Sequence, residues 1–370
     1  MRGKHSALDN DVLLLNEIGL DPGIDHCSAI DMIERFRAEG KKVQSFISFC
    51  GGLPAPDVPI TPLRYKFSWS PRGVLSAALN SAKYKLNGEV WNIPGDSLLK
   101  SYFPTVPISD ELQLEGIANR DSLPYLETYS LGPRADIRTV LRGTLRYPGF
   151  SSLMQSFKSL GVLETEKKIY LKDWSSLLLQ SLHSKYDAEP KSFDVRTAIF
   201  KLIPARQVNA LFDAAEWLSL LPPKAAYRDQ GTLPPLPDAP MAPIDLFSIL
   251  LAHKLRYRKG ERDMVVMAHE VITQAMTGAH EKEVHTASLV VYGTEKASAM
   301  ARTVGLPVAI AALHVLDGGT PVRGVAGPSH SSVYTHILNE LNAAGLGMVE
   351  RTRPQHEGKT IEASLAVPGW

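Results

Sequence analysis

The stretch NEIGLDPGIDH, residues 16–26, decides how this chain is read. It follows DVLLL (11–15), which has the composition of the end of a buried strand, and it runs through Asp21-Pro22-Gly23 into a helical pattern. Asp21 suits a helix cap and Pro22 a first helical position. In CSAIDMIERFRAEG (27–40), Ile30, Ile33 and Phe36 fall near one helical stripe, and Gly40 is the stop. A strand, a tight turn and a helix N-terminus form a seat for anionic ligands, because free backbone N–H groups point outward there. A lone strand has nothing to pair with, so this opening reads as the edge of something larger.

A chain of 370 residues can hold two or three domains and a sizeable core. Hydrophobic residues make up 44% and charged residues 21%, as in an ordinary globular protein. Lys plus Arg number 40 against 39 Asp plus Glu, a net charge of +1 that gives no footprint for nucleic acid or an anionic membrane. Cys27 and Cys50 are too few for a disulfide framework and point to a reducing compartment. MRGKHSALDN lacks the apolar core of a signal peptide, and no apolar run reads as reaching a membrane span. A soluble, cytoplasmic protein is expected.

Outward from the opening, α and β character mix. KVQSFISFC (42–50) alternates like a strand and ends at Gly51-Gly52. SPRGVLSAALNSAKYKLNG (70–88) reads as one helix, with Ser70 as cap, Pro71 in the first turn and Gly88 as stop. Residues 89–150 are rich in turns and short strands, and 151–258 turn helical apart from the proline-rich loop 222–243. RDMVVMAHEVI (262–272) and EVHTASLVVYG (283–293) read as a hairpin, EKASAMARTVG (295–305) and LPVAIAALHVLDGG (306–319) as helices, and SSVYTHILNELNAAG (331–345) as a final amphipathic helix.

G-x-G-x-x-G, G-x-x-x-x-G-K-[ST], H-E-x-x-H and G-x-S-x-G motifs are missing from the sequence. His280 and His285 fall in a turn between two strands, short of the three or four converging groups a metal site needs, so no metal is expected. What remains are clusters of Arg, Gly, Pro and aromatic residues in irregular segments, which suit loops gathered round a polar, anionic small molecule.

NEIGLDPGIDH, FCGGLPAPD (49–57), YKFSWSPRGVL (65–75), NRDSLPY (119–125), RGTLRYPGF (142–150), GERDMVVM (260–267) and GLPVAIA…VLDG (305–318) occur in the order of one family. Together they make the chain resemble the NADP-dependent, L-glutamate-forming saccharopine dehydrogenases, from about residue 12 to about 345. The resemblance implies NADPH-dependent reduction of the imine between glutamate and 2-aminoadipate 6-semialdehyde to saccharopine, in lysine biosynthesis. It also answers the opening question: in the family, NEIGLDPG ends a dinucleotide-binding domain whose earlier strands and glycine-rich loop precede it. The chain starts about where the last strands of that domain should be.

The fold class implied is α/β: an α+β substrate domain with a mixed sheet, a helical insertion and an incomplete Rossmann-like dinucleotide-binding domain. Residues 1–28 and 293–345 are expected to form the remnant of that domain, 29–155 and 259–292 the substrate domain, 156–258 the helical insertion, and 346–370 a disordered tail. The remnant should expose apolar edge and limit solubility.

Saccharopine carries three carboxylates and a secondary amine, so a site for it needs fixed cations, and Arg binds carboxylates bidentately. The resemblance assigns Arg120 and Arg146 to substrate carboxylates, with backbone or hydroxyl contacts from Thr144 and Leu145. The two arginines could equally be surface residues in weak salt bridges. Leu20, Asp21 and Pro22 are implied to line the cofactor side, with Trp69 and Ser70 touching the cofactor. The Asp21 carboxylate is implied to face the substrate amine, where it can favour a protonated imine. Cys50 is implied to lie near the reacting centre, though a thiol packing as a small hydrophobe explains it as well. Two readings follow: a saccharopine dehydrogenase represented by a truncated chain, or a non-catalytic substrate-binding or dimerisation module. The partners expected are small molecules, and a homodimer is among the assemblies allowed.

Overall fold

The computed structural model describes residues 2–109, 111–186, 194–227, 231–276 and 281–365. Its strands are β1 (Leu13–Leu15), β2 (Lys41–Pro54), β3 (Ala82–Leu86), β4 (Glu89–Ile93), β5 (Glu115–Ala118), β6 (Thr139–Arg146), β7 (Asp263–Ala275), β8 (Lys282–Tyr292), β9 (Gly324–Ala326) and β10 (Val349–Pro354). Eight of them form one mixed sheet in the order β10-β8-β7-β2-β6-β3-β4, with β5 also pairing β6. β2 and β6 run parallel, Cys50 opposite Thr144, and the other neighbours in this sheet are antiparallel. The opening strand does find a partner: β1 pairs with β9 in a separate, parallel two-stranded sheet.

Strand pleating sorts the side chains of the large sheet into two cores. Phe46, Cys50, Val140, Val265, Met267 and Val271 face the helices Ile24–Ala38 and Ser331–Ala343. Ile47, Phe49, Leu141, Leu145, Met264 and Val266 face the helices of residues 150–254, led by Phe157, Leu211 and Phe247. Arg142 and Thr144 thus project from the same face of β6 as Val140, and Leu145 from the other; Arg146, the last residue of the strand, packs on Tyr65 and Phe150 of the second core.

Several local expectations are corrected. Asp21 caps no helix: the Asp21–Pro22 peptide is cis and the helix begins at Ile24. Its entry is fixed by Asp25, whose Oδ1 accepts the Gly23 N–H at 2.7 Å. Gly23 sits at φ 153°, and a Cβ there would lie 2.0 Å from the Gly19 carbonyl oxygen, so the turn closes too tightly for a side chain. β2 does not stop at Cys50 but runs through Gly51 and Gly52 to Pro54. A Cβ on Gly51 would meet Leu145 Cβ at 2.8 Å, which is why glycine allows the strands to stay close.

The segment 70–88 is not one helix. Ser70 Oγ accepts the Gly73 N–H and starts a short helix, Pro71–Ala77, but Asn87-Gly88 then turns a hairpin between β3 and β4. Both turn residues have positive φ, 53° and 91°, the backbone that Asn-Gly favours. Residues 295–319 contain a single helix, Ala299–Leu316, that carries Pro307 within it. This helix has 18 residues and a mean hydropathy of 1.6, so by length and composition it could cross a membrane, which corrects the expectation that no apolar run approaches that length. It lies along β7 with its first turn capped by Asp263, which accepts the N–H of Ala299 at 2.6 Å and of Met300 at 2.9 Å. Val304, Val308, Leu313 and Leu316 on its outer side are exposed.

The tail is not disordered through residue 365. β10 pairs with β8, covering its edge, and a short helix, Ile361–Ser364, follows. Glu270 accepts the N–H groups of Ile361 and Glu362, at 2.7 and 3.0 Å, while the buried Glu362 accepts the hydroxyls of Ser45, at 2.8 Å, and Thr139. Residues 366–370 lie outside the described residues. His285 sits in β8 rather than a turn, its ring nitrogens 2.9 Å from the hydroxyls of Thr273 and Thr352; His280 lies outside the described residues.

Candidate functional site

Ligands in open α/β sheets settle outside the carboxyl ends of parallel strands. In this chain that position belongs to Cys50 and the glycines after it on β2, and to Thr144 and Arg146 on β6. The turn 19–23 and the loop 119–125 close over the same face.

Arg142, missed in the sequence, is the centre of the cluster. Its Nη2 lies 2.6 Å from Asp21 Oδ1 and also holds Asp25 Oδ2, and its guanidinium lies 4.2 Å from the centroid of the Tyr125 ring. The NRDSLPY loop is tied to the same residue from behind: the Arg142 N–H donates to Ser122 Oγ at 3.0 Å and its carbonyl accepts the Asn119 N–H at 2.8 Å. His26 Nδ1 pairs with the Tyr129 hydroxyl at 2.6 Å. His269 Nδ1 lies 3.0 Å from Ser48 Oγ, its Nε2 buried without a partner.

Burial governs the charges here. It raises Asp21 from 3.8 to about 6, with the neighbouring Asp25 adding to the rise and Arg142 opposing it. Asp25, fully buried, is raised for the same first reason. Burial works against the charge on Arg142, yet Asp25 and Asp21 more than offset it and hold the guanidinium firmly protonated. Burial, then Arg142, lowers His26 to about 4 and His269 to about 3, so both are neutral at pH 7. The Cys50 thiol is pushed well above its usual value by burial and by Asp21 and Asp25, so it stays a thiol. It lies within the electrostatic reach of Arg142 and Arg146 together.

Arg146 is buried and forms no ion pair among the described residues; its Nη1 donates to the Leu145 carbonyl and its Nε has no partner. The guanidinium rests 5.0 Å from the Tyr65 ring centroid and 5.3 Å from that of Phe150. The Tyr65, Tyr257 and Ser68 hydroxyls are buried without partners. A buried cation between two rings, with donors left open, is chemically suited to an incoming carboxylate.

The other expected residues are less alike. Thr144 is half-buried on the site face, whereas the Leu145 side chain is fully buried on the far face, leaving only its backbone to the site. Arg120 is exposed at φ 51°, in the loop that holds Arg142, with no side-chain partner among the described residues. Leu20 is buried beside the half-buried Asp21, and Pro22 is exposed. Trp69 is 43% exposed, its indole edge against Gly73, and Ser70 is exposed. Arg142 was legible in one respect: strand alternation from Thr144 puts it on the same face.

A mixed sheet with helices on both faces defines an α/β protein. The saccharopine dehydrogenase C-terminal domain family matches residues 19–346, and the chain belongs to the saccharopine dehydrogenase family. It is 36% identical over 348 residues to saccharopine dehydrogenase [NADP(+), L-glutamate-forming] of Pyricularia oryzae, covering 91% of this chain and 72% of that protein. Mitochondrial alpha-aminoadipic semialdehyde synthase of Mus musculus is 38% identical over 349 residues, covering 92% of this chain. The chain spans only 35% of that relative's length. Among solved structures, apo saccharopine dehydrogenase (L-Glu forming) from Saccharomyces cerevisiae matches with a TM-score of 0.76 at 33% identity, over 93% of this chain and 75% of that one.

Proposed function

We propose that this chain supplies the substrate-binding part of an NADP-dependent, L-glutamate-forming saccharopine dehydrogenase, an oxidoreductase of lysine metabolism. The observation that carries the reading is Arg146: a buried guanidinium with no ion pair among the described residues, held against Tyr65 and Phe150 and within electrostatic reach of Cys50. Saccharopine, or the glutamate and 2-aminoadipate 6-semialdehyde that condense to its imine, brings the carboxylates such a group lacks. Arg146 binds one of them, and Arg120, exposed on its loop, reaches a second. Thr144 adds a hydroxyl and Leu145 its backbone.

Asp21 holds a proton near the substrate nitrogen. A carboxyl raised to about 6 exchanges a proton with an imine or secondary amine more readily near neutrality than one at 3.8. Arg142 keeps Asp21 oriented. Cys50, a thiol at every physiological pH, packs beneath the reacting atoms and donates weakly rather than attacking.

NADPH, when bound, supplies the hydride. The exposed Trp69 and Pro22, with Leu20, Asp21 and Ser70, suit the nicotinamide end of that cofactor. The sequence offers no glycine-rich turn for its pyrophosphate. We assign β1, β9 and the helix Ala299–Leu316 to the dinucleotide-binding side; the exposed apolar face of that helix supports this assignment.

Calorimetric titration of the 370-residue chain with saccharopine, and separately with NADPH, tests the reading. Saccharopine binding that Arg146→Leu weakens by about 30-fold or more is the expected result. No saccharopine binding by a folded chain would overturn it.

A further inference from the structure

A cavity of about 560 Å³ opens away from the residues described above, between the segment 59–66 and the helices Ala205–Trp217 and Pro243–Lys254. Its volume is in the range of small-molecule sites. Four cations line it, Arg64, Lys66, Lys254 and Arg258, against two carboxylates, Asp213 and Glu261. Both carboxylates are committed elsewhere. Glu261 Oε2 lies 2.7 Å from Lys66 Nζ and accepts the Arg258 backbone N–H at 2.6 Å. Asp213 holds Lys224 and accepts the Tyr227 hydroxyl at 2.8 Å.

The Arg64 and Arg258 guanidinium groups therefore form no ion pair among the described residues. Thr61 Oγ1, also in the lining, is buried without a hydrogen-bond partner. Arg64 follows a turn in which its own N–H donates to the Thr61 carbonyl at 2.9 Å, and it is held at φ 49°, a backbone that arginine seldom adopts. A smaller cavity of about 50 Å³ shares Lys254 and Arg258 and adds Arg256 to the basic lining.

We propose that this cavity binds a small dianion of the phosphate or dicarboxylate class, at a site separate from the face that carries Asp21 and Arg146. Two unengaged arginine forks match the paired oxygens of either group. The buried Lys66 and Lys254 also line the cavity, Lys66 being paired with Glu261. Burial, and then Arg258, lowers Lys254. Tyr65, between Arg64 and Lys66, rests against Arg146.

The test is calorimetry on the full chain at low salt, with inorganic pyrophosphate and separately with succinate. Arg64→Gln and Arg258→Gln, at exposed positions, are compared with Arg351→Gln on β10, which does not line the cavity. Thermal melting checks that each variant is folded. The expected result is binding of at least one anion, weakened tenfold or more by each cavity variant and unchanged in Arg351→Gln. Pyrophosphate alone would assign the phosphate class, succinate alone the dicarboxylate class. Binding of neither anion, equal weakening in all three variants, or no weakening in the cavity variants would overturn the proposal.

Discussion

Glu115 and Arg146 stand directly opposite each other in the antiparallel pair β5/β6, yet they form no ion pair. Glu115 spends both carboxylate oxygens on the helix Phe150–Ser159, accepting the N–H groups of Gly149 at 2.8 Å and Ser151 at 2.7 Å. The acid nearest in register is thereby taken up by a helix N-terminus, and the arginine is left for something else. Replacing Arg146 with Leu breaks no ion pair among the described residues, and Glu115 keeps its two backbone donors, so the thermal midpoint should move little. Saccharopine binding should weaken by about 2–4 kcal/mol, or roughly 30- to 1000-fold. Arg146→Lys should fall between, because an ammonium cannot make the fork contact. Calorimetry on the three proteins decides, and a loss below about threefold for Leu removes Arg146 from the site.

Arg142 should behave in the opposite way. It is the only cation ion-paired with Asp21 or Asp25 among the described residues, and both acids lie in a buried cluster. Arg142→Leu should destabilise the chain by about 3–5 kcal/mol, because two carboxylates lose their partner. Urea unfolding measures this, with the further expectation that Asp21→Asn recovers part of the loss.

The two kinds of buried group give pH dependences of opposite sign. His269 is lowered from 6.5 to about 3, so the unfolded chain takes up its proton first. Its contribution to stability is complete above pH 6.5 and is lost as pH falls through the window from 6.5 towards 3. Asp21 is raised from 3.8 to about 6, so the folded chain takes up its proton first. That contribution is present below pH 3.8 and is lost as pH rises through 6. Relative to wild type, His269→Gln should flatten the acid decline by about 1.4 kcal/mol per pH unit between pH 6 and 4. Asp21→Asn should steepen it over nearly the same window. Denaturant midpoints collected at half-unit steps would expose a wrong sign in either.

Removing residues 347–370 should cost stability although the matched family segment ends at 346. The cut takes away β10 and the helix that Glu270 caps, opens the edge of β8, and removes the Glu362 acceptor from Ser45 and Thr139. A drop of about 2–4 kcal/mol is expected from the lost hydrogen bonds alone. An unchanged melting temperature would mean that the tail only rests on the sheet.

The exposed side of the helix Ala299–Leu316 should govern association. Leu313 and Leu316 are 62% and 80% exposed, and Leu313→Lys with Leu316→Lys should leave the melting temperature alone while lowering self-association in light scattering. If scattering does not change, the apolar face is not what drives association.

The 262–293 hairpin was legible because its two strands are long, rich in apolar and β-branched residues, and pair by local sequence order. AKYKL was not, because alanine, lysine and leucine serve either structure; the Asn87-Gly88 turn carried the deciding signal and was read as a helix stop. The tail hid for a different reason: its strand pairs through backbone groups, and its anchor is a buried Glu362 that looks like a surface residue in sequence. Within the candidate site, Arg146 and Asp21 were proposed from motif order. Arg142, Asp25 and Tyr125 became visible only once β6, the helix Ile24–Ala38 and the loop 119–125 were brought together, since their partners lie up to 121 positions apart.

The period-two sorting of β6 makes the site a matter of parity. Arg142, Thr144 and Arg146 alternate with Leu141, Gly143 and Leu145, and parallel pairing to β2 fixes which set meets Cys50. A single inserted or deleted residue upstream in β6 would exchange the two sets, sending Arg142 into the helical core and leucines to the opposite face. Substitutions in this strand can therefore be graded, whereas changes of length cannot: the strand tolerates edits of spelling but none of count.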